Sequence, residues 1–142
     1  MYLGALCGKI FSVMNMPSAE SYNALTSQII AAAIHVHRRL GPGLLESTYE
    51  ACLVYELRKR GLNAKSQVSL PVVYDGVKLD VGYRIDILVE DAVIIELKAV
   101  EQVIPLHEAQ LITYLKLSGK KVGLLMNFNV TRLTDGVTRR AN

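Results

Sequence analysis

The sequence has few cysteines and no long apolar run, and both shortages narrow what the protein can be. Its 142 residues include two cysteines, Cys7 and Cys52, whose separation matches neither a zinc site nor a disulfide framework. Cys52 falls within an apolar helical stripe and is interpreted as a core residue, which suits a reducing cytoplasm. No stretch approaches the roughly 20 apolar residues of a membrane-spanning helix. We therefore expect a cytoplasmic protein that does not associate with membranes.

The proportion of charged residues and the net charge are also modest. Hydrophobic residues make up 51% of the chain and charged residues 20%, which indicates a globular protein rather than a disordered one. The formal net charge of +3 is compatible with a polyanionic partner but does not by itself indicate one. Basic residues form four local groups, each more typical of a solvated helix end or loop, which together could line a groove: Arg38-Arg39, Arg58-Lys59-Arg60, Lys120-Lys121 and Arg139-Arg140.

The length predicts a single domain with a substantial core. The first 16 residues are apolar but lack a charged start, so they make a poor signal peptide. Met14 and Met16 offer alternative starts. We therefore expect residues 1–20 to be a poorly ordered extension and residues 21–142 to be the folded domain.

Hydrophobic periodicity predicts an alternation of helices and strands. A Gly-Pro-Gly break at residues 41–43 separates the first two helices, and turns are expected at Asp75-Gly76 and Glu90-Asp91. The predicted elements are helices at 24–40, 44–60 and 105–117, strands at 67–74, 77–81, 85–89, 92–97 and 122–128, and a last short strand or loop within 130–142. This order predicts an α/β fold in which a mixed β-sheet is flanked by helices.

Three charged residues interrupt the apolar strands of the second hairpin. Glu96 and Lys98 share one face of their strand, and Asp86 on the paired strand could reach the same place. Two carboxylates about 4 Å apart repel by roughly 4 kcal/mol at an effective dielectric constant near 20. A positive group should therefore lie between them, supplied by Lys98 or by a bound divalent cation. The alternative is a solvated Glu96–Lys98 pair at a strand end, with Asp86 an ordinary surface acid.

Polar residues on two helices could join this cluster. Glu46 lies at the edge of the buried stripe of the second helix. Gln110 and Tyr114 are one turn apart on the third helix and share an inward face. Buried Gln and Tyr side chains need hydrogen-bond partners, which a carboxylate–lysine cluster would provide. Alternatively, Tyr114 is an amphipathic core residue and Gln110 a surface residue.

These motifs resemble those of the GxxExxY family of the PD-(D/E)xK nuclease superfamily. The motif that names the family is present as GLLESTY at residues 43–49, and the superfamily signature as Asp86 with Glu96-Leu97-Lys98. The pair Gln110 and Tyr114 is similar to a motif that follows the catalytic strand in RecB-like exonucleases. The resemblance covers residues 27–142, and one departure is that Ile85 stands where the superfamily name places proline.

The resemblance implies a restriction-endonuclease-like core and a metal-dependent site. Its nucleases bind Mg²⁺, or Mn²⁺, through residues equivalent to Asp86, Glu96 and the backbone carbonyl of Leu97, and a helical glutamate often completes the site, a place that Glu46 matches. Lys98 would orient the attacking water or stabilise charge on the phosphate. Gln110, Tyr114 and Tyr49 are expected to contact substrate or to support the ligands.

Three functions remain open at this point. The first is a metal-dependent nuclease that acts on DNA or RNA, with a homodimer as a possible assembly. The second is a non-catalytic nucleic-acid-binding or regulatory module that retains the nuclease fold. The third is a small-molecule enzyme or a stress-linked metal protein on the same scaffold. The presence of Asp86, Glu96 and Lys98 together favours the first, because a decayed site need not keep all three.

Overall fold

The computed structural model describes residues 18–142, and its central feature is a mixed five-stranded sheet between layers of helices. The predicted extension, residues 1–20, lies outside the described residues except for residues 18–20, which begin the first helix. Cys7 also lies outside them. No helix in residues 18–142 combines the length and the apolar character needed to cross a membrane.

The elements follow the predicted order, with small differences at their ends. The helices are α1 (Ala19–Leu40), α2 (Glu46–Lys59) and α3 (Pro105–Ser118), and a 3₁₀ turn spans Leu133–Gly136. The strands are β1 (Ala64–Ser69), β2 (Val72–Tyr74), β3 (Val77–Leu79), β4 (Arg84–Val89), β5 (Val93–Lys98), β6 (Val122–Asn127) and β7 (Val137–Ala141). The main sheet has the order β1-β4-β5-β6-β7, and β2 and β3 form a separate hairpin. The predicted α/β fold with a mixed sheet flanked by helices is confirmed.

Two predicted boundaries were wrong. Helix α1 begins at Ala19 rather than at residue 24, because Ser18 caps it: the Ser18 hydroxyl accepts a hydrogen bond from the Ser21 backbone N–H at 3.1 Å. The strand predicted for residues 67–74 is two strands, β1 and β2, interrupted at Leu70 and Pro71. Pro71 has no N–H to donate to a ladder.

Each face of the sheet has its own core. One core lies between the sheet and α1 and α2, and includes Ile29, Leu53, Ile95 and Leu124. The other lies between the sheet and α3, and includes Ile94, Leu111, Leu115 and Leu125. Strands β5 and β6 are central and covered on both faces, which explains why nearly all their residues are apolar.

The pairing of β4, β5 and β6 places the charged residues at one end of the sheet. β4 and β5 form an antiparallel hairpin, and its turn at Glu90 and Asp91 has positive φ angles of 53° and 52°, as in a type I′ turn. β5 runs parallel to β6 through α3. The start of β4 and the end of β5 therefore lie together, and α3 begins nearby.

The loop between α1 and α2 is held by Tyr49. The Tyr49 hydroxyl donates to the Gly41 carbonyl at 2.6 Å and accepts from the Leu44 N–H at 3.1 Å. Its ring is fully buried and stacks on Phe128, with ring centroids 4.6 Å apart. Within residues 18–142, no hydrogen bond joins it to Asp86, Glu96 or Lys98. Tyr49 thus fixes the loop from which α2 starts.

Replacing Tyr49 with Phe should lower the free energy of unfolding by about 1–3 kcal/mol, because the loop loses one donor and one acceptor while the ring stacking stays. Urea denaturation followed by circular dichroism measures the change. Tyr55→Phe is the matched control, since Tyr55 lies on the same helix with 68% of its surface exposed. Equal midpoints for the wild type and Tyr49→Phe would contradict this role.

Candidate active site

Strands β4 and β5 separate at the point where Asp86 and Glu96 lie. Their paired register ends with Ile87 opposite Ile95. Beyond that pair, the Leu97 N–H donates to Asp86 Oδ2 at 2.8 Å, and the Asp86 N–H donates to Glu96 Oε1 at 3.3 Å. Where the strand pairing has ended, two side-chain carboxylates thus accept hydrogen bonds from backbone N–H groups. We call this place the fork.

A kink in the neighbouring strand accompanies the fork. Gln67 of β1 lies opposite Asp86 and has a φ of 54°, in the left-handed region that side-chain-bearing residues rarely adopt. Across this point the faces of β4 change: Ile85 packs in the core beneath α3, whereas Ile87 packs in the core beneath α1 and α2. Residues two apart normally share a face. The chain therefore rotates at Asp86, which directs its carboxylate toward β5.

The two carboxylates are too close to be ionised together without a compensating charge. Glu96 is only 4% exposed. Burial, followed by the charge of Asp86, raises the pKa of Glu96 to about 8, and the nearby Lys98 ammonium offsets only part of this effect. A hydrogen bond between the Asp86 and Glu96 side chains also raises the pKa of Glu96. At neutral pH and without a cation, the pair therefore retains a proton.

Lys98 is linked to α3 through a short chain of hydrogen bonds. Its Nζ donates to Gln110 Oε1 at 3.4 Å, and Gln110 Nε2 donates to the Tyr114 hydroxyl at 3.1 Å. The pKa of Tyr114 is raised by burial, and the charges of Glu96 and Asp86 add to the rise although the Gln110 bond opposes it. The structure thus brings the five residues Asp86, Glu96, Lys98, Gln110 and Tyr114 to one site.

Helix α2 brings two further acids toward the fork. Glu46, the first residue of the helix, is exposed. Glu50, one turn further on, is half-buried, and its Oε1 accepts from Gln67 Nε2 at 2.7 Å. Burial raises the pKa of Glu50, the Gln67 bond lowers it, and the charges of Asp86 and Glu46 raise it. Of these two acids, Glu50 is therefore the inward one. It was not among the residues predicted from the sequence: helical spacing places it on the same side of α2 as Glu46, but only the contact with Gln67 shows that it faces inward.

Asn127 fixes the backbone beside Lys98, and it was also not among the site residues predicted from the sequence. It is 3% exposed and lies opposite Lys98 in the pairing of β5 with β6. Its Oδ1 accepts from the Val100 N–H at 3.1 Å, and its Nδ2 donates to the Val100 carbonyl at 2.9 Å. The Phe128 N–H donates to the Lys98 carbonyl at 2.9 Å. The main chain on both sides of Lys98 is therefore held in place.

The groups at the fork fit a hard divalent cation. Asp86 and Glu96 are oxygen ligands, and Leu97 adds a backbone carbonyl: in a strand this oxygen points to the same side as the residue's N–H, which here faces Asp86. Residues 18–142 contain no group of three His, Cys, Asp or Glu side chains arranged to hold a metal. Mg²⁺ commonly takes one or two carboxylates, with water and substrate phosphates completing its shell. Two acids and a carbonyl meet that requirement.

Comparison with known proteins gives one match. A family model described as the PD-(D/E)XK nuclease superfamily matches residues 23–140, which is most of the chain and includes every residue of the site. Neither the curated proteins nor the solved structures give a significant match.

The shared proton predicts how stability depends on pH. An unfolded glutamate has a pKa near 4.3, whereas the folded pKa of Glu96 is about 8. Between these values the folded chain binds more protons than the unfolded chain, so in EDTA the free energy of unfolding should fall as pH rises from about 5 to about 8. Glu96→Gln removes this titration and should flatten the profile. Urea denaturation at a series of pH values measures both.

Glu101→Gln is the matched control, because Glu101 is an exposed acid close to the same strand. It should follow the wild-type profile. Added Mg²⁺ should stabilise the wild type most at the alkaline end, where its carboxylates are ionised. Parallel pH profiles for the wild type and Glu96→Gln would contradict the assignment of the shared proton to the Asp86–Glu96 pair.

Proposed function

The chain belongs to the PD-(D/E)XK nuclease superfamily, and on this premise we propose that it is a nuclease that hydrolyses phosphodiester bonds of DNA or RNA with Mg²⁺ or Mn²⁺. The observation that carries the proposal is the pair of close carboxylates at the fork, with the Lys98 ammonium beside them. A bound divalent cation would polarise the scissile phosphate and lower the pKa of a coordinated water.

In this proposal the acids at the fork hold the cation. Asp86 and Glu96 each use one oxygen in a backbone hydrogen bond, and the second oxygen of each would bind the cation. The Leu97 carbonyl is the third protein ligand. Glu50 and the more exposed Glu46 would act from α2, where a carboxylate can hold a water molecule or accept its proton.

Lys98 is proposed to contact the phosphate. Its hydrogen bond to Gln110 is long, at 3.4 Å, and an ammonium has three donors. The Lys98 charge can therefore stabilise negative charge that develops on the phosphate oxygens. Gln110 and Tyr114 act as positioning residues, because their side chains are neutral and set the direction of the Lys98 side chain without cancelling its charge.

We further propose that the chain is a member of the GxxExxY family. Three residues of that motif have distinct structural roles in this chain. Gly43 has a φ of 97°, which favours glycine. Tyr49 holds the loop, and Glu46 begins α2, where an acid interacts favourably with the positive end of the helix dipole. The motif thus sets where α2 begins, and with it the positions of both helical acids.

A non-catalytic nucleic-acid-binding module is the alternative, and the small number of protein ligands is the observation that favours it. Residues 18–142 offer two carboxylates and one carbonyl at the fork rather than a cluster of three acids. Such a module would bind nucleic acid without cleaving it. We also propose a cytoplasmic location and a homodimer.

The test is cleavage of supercoiled plasmid and of labelled DNA and RNA oligonucleotides with Mg²⁺ or Mn²⁺. We expect activity that EDTA abolishes. Lys98→Met keeps most of the apolar stem but loses the charge, and should lower the cleavage rate by about 100-fold or more. Asp86→Asn should raise the metal concentration needed for half-maximal activity, because it removes a ligand charge.

Lys121→Met is the matched control, since Lys121 is exposed and precedes β6 at the opposite end of the sheet from Lys98. It should cleave at the wild-type rate. Cleavage that persists in EDTA, or that is unchanged in Lys98→Met, would refute the mechanism. A folded, metal-loaded protein that binds but cleaves none of these substrates would support the non-catalytic module.

A further inference from the structure

A groove of about 600 Å³ runs beside the candidate active site, between α3 and the segment that follows the β2–β3 hairpin. This volume is within the usual range for small-molecule sites, about 300–1,000 Å³. Its walls are mostly apolar, from Val72 on one side to Leu106 and Leu117 on the other. None of the residues that line it is acidic.

The groove is continuous with the site. Gln110 and Tyr114 line the groove, and the same two side chains form the chain of hydrogen bonds that leads to Lys98. A ligand that lies in the groove would therefore be separated from the ammonium of Lys98 by one side chain, that of Gln110. Whatever group occupies the groove is bound next to the position proposed for the phosphate.

An aromatic ring forms one wall. Tyr83 is 47% exposed, and its ring lies 5.9 Å from that of Tyr114 at an angle of 55°. The Tyr83 carbonyl accepts from the Leu70 N–H at 2.9 Å, which holds the backbone that carries the ring. Tyr83 is thus partly covered, and it is one of the residues that line the groove. Nucleobases stack on such rings when they are not already stacked on neighbouring bases.

Polar groups at the groove suit the edge of a base. His107 Nδ1 accepts from the Ile104 N–H at 3.2 Å, so the neutral imidazole carries its proton on Nε2. This N–H is a donor, and the Gln110 amide supplies a donor and an acceptor. An uncharged, amphipathic wall beside a cation site matches the chemistry of a nucleotide, whose base is uncharged and whose phosphate is not.

We propose that the groove binds an unpaired nucleobase of the substrate strand, stacked on Tyr83, next to the phosphate held at the fork. The inference rests on the proposed function, since it requires a nucleic-acid substrate. It narrows that substrate to single strands, or to duplexes with unpaired ends or flaps. A base inside a continuous duplex is stacked on both faces and has no free face for Tyr83.

Binding without cleavage tests the groove. Fluorescence anisotropy in EDTA at pH 7 compares three labelled ligands of equal length: a single-stranded oligodeoxynucleotide, the same backbone with abasic sites, and a blunt duplex. We expect the wild type to bind the first most tightly. Tyr83→Ala should weaken its binding by about 5- to 100-fold, the range for loss of one stacked base, and leave the abasic ligand unchanged.

Two variants serve as controls. Tyr83→Phe keeps the ring and should bind within about twofold of the wild type, as the loss of one exposed hydroxyl leaves the stacking surface intact. Tyr55→Ala removes a more exposed tyrosine from α2, where Tyr55 is 68% exposed, and should not change binding.

The position of the bound base can also be probed directly by fluorescence, because the sequence contains no tryptophan. Tyr83→Trp introduces a single indole at the groove, and Tyr55→Trp introduces one on α2. The fluorescence of the first should be quenched by the base-containing single strand and not by the abasic strand. The fluorescence of the second should respond to neither.

Equal affinity of the wild type for the base-containing and abasic strands, or unchanged binding by Tyr83→Ala, would overturn the proposal. The proposal would also be overturned if the wild type formed a dimer and Tyr83→Ala converted it to a monomer without loss of nucleic-acid binding. A second copy of the chain would then occupy the groove. Tyr83-dependent binding in a protein that never cleaves would support the groove and contradict the nuclease. Cleavage with Tyr83-independent binding would contradict the groove alone.

Discussion

Where β4 and β5 separate, two carboxylates accept hydrogen bonds from backbone N–H groups, and much of the site follows from that arrangement. Asp86 and Glu96 become fixed by main-chain N–H groups at 2.8 and 3.3 Å, so they cannot move apart to relieve their repulsion. A buried pair of this kind needs a proton or a cation between its members. Burial of Glu96, together with its repulsion by Asp86, raises the pKa of Glu96 and makes the fork suitable for Mg²⁺.

The residues around the fork divide into rigid and adjustable groups. Asn127 and Phe128 hold the main chain beside Lys98 through buried hydrogen bonds. Among residues 18–142, the Lys98 side chain itself is held by one long hydrogen bond, to Gln110. A fixed backbone and an adjustable side chain suit a lysine whose ammonium group must reach a ligand. Glu50 is intermediate, because Gln67 holds one of its oxygens.

The residues of the motif at positions 43–49 have structural roles that the sequence pattern alone does not show. Gly43 and Tyr49 set the loop geometry, and the acid between them is the exposed member of a pair whose inward member is Glu50. Tyr49 stacks on Phe128, which directly follows β6, while the Phe128 N–H bonds to the Lys98 carbonyl. The loop before α2 and the strand end that carries Lys98 are thereby packed against a common residue.

The amino-acid sequence by itself determined the fold class, the hairpin of β4 and β5, the turns, and the set of charged residues at one sheet end, because apolar periodicity and turn residues are local signals. It did not determine the end of β1, since the interruption at Pro71 is apparent only once pairing partners are known. Glu50, Gln67, Tyr83 and Asn127 depend on contacts between distant segments, which no local pattern encodes. Only tertiary structure decided that Glu50 faces inward, that Tyr49 bonds to the loop, and that Tyr83 lies beside Tyr114.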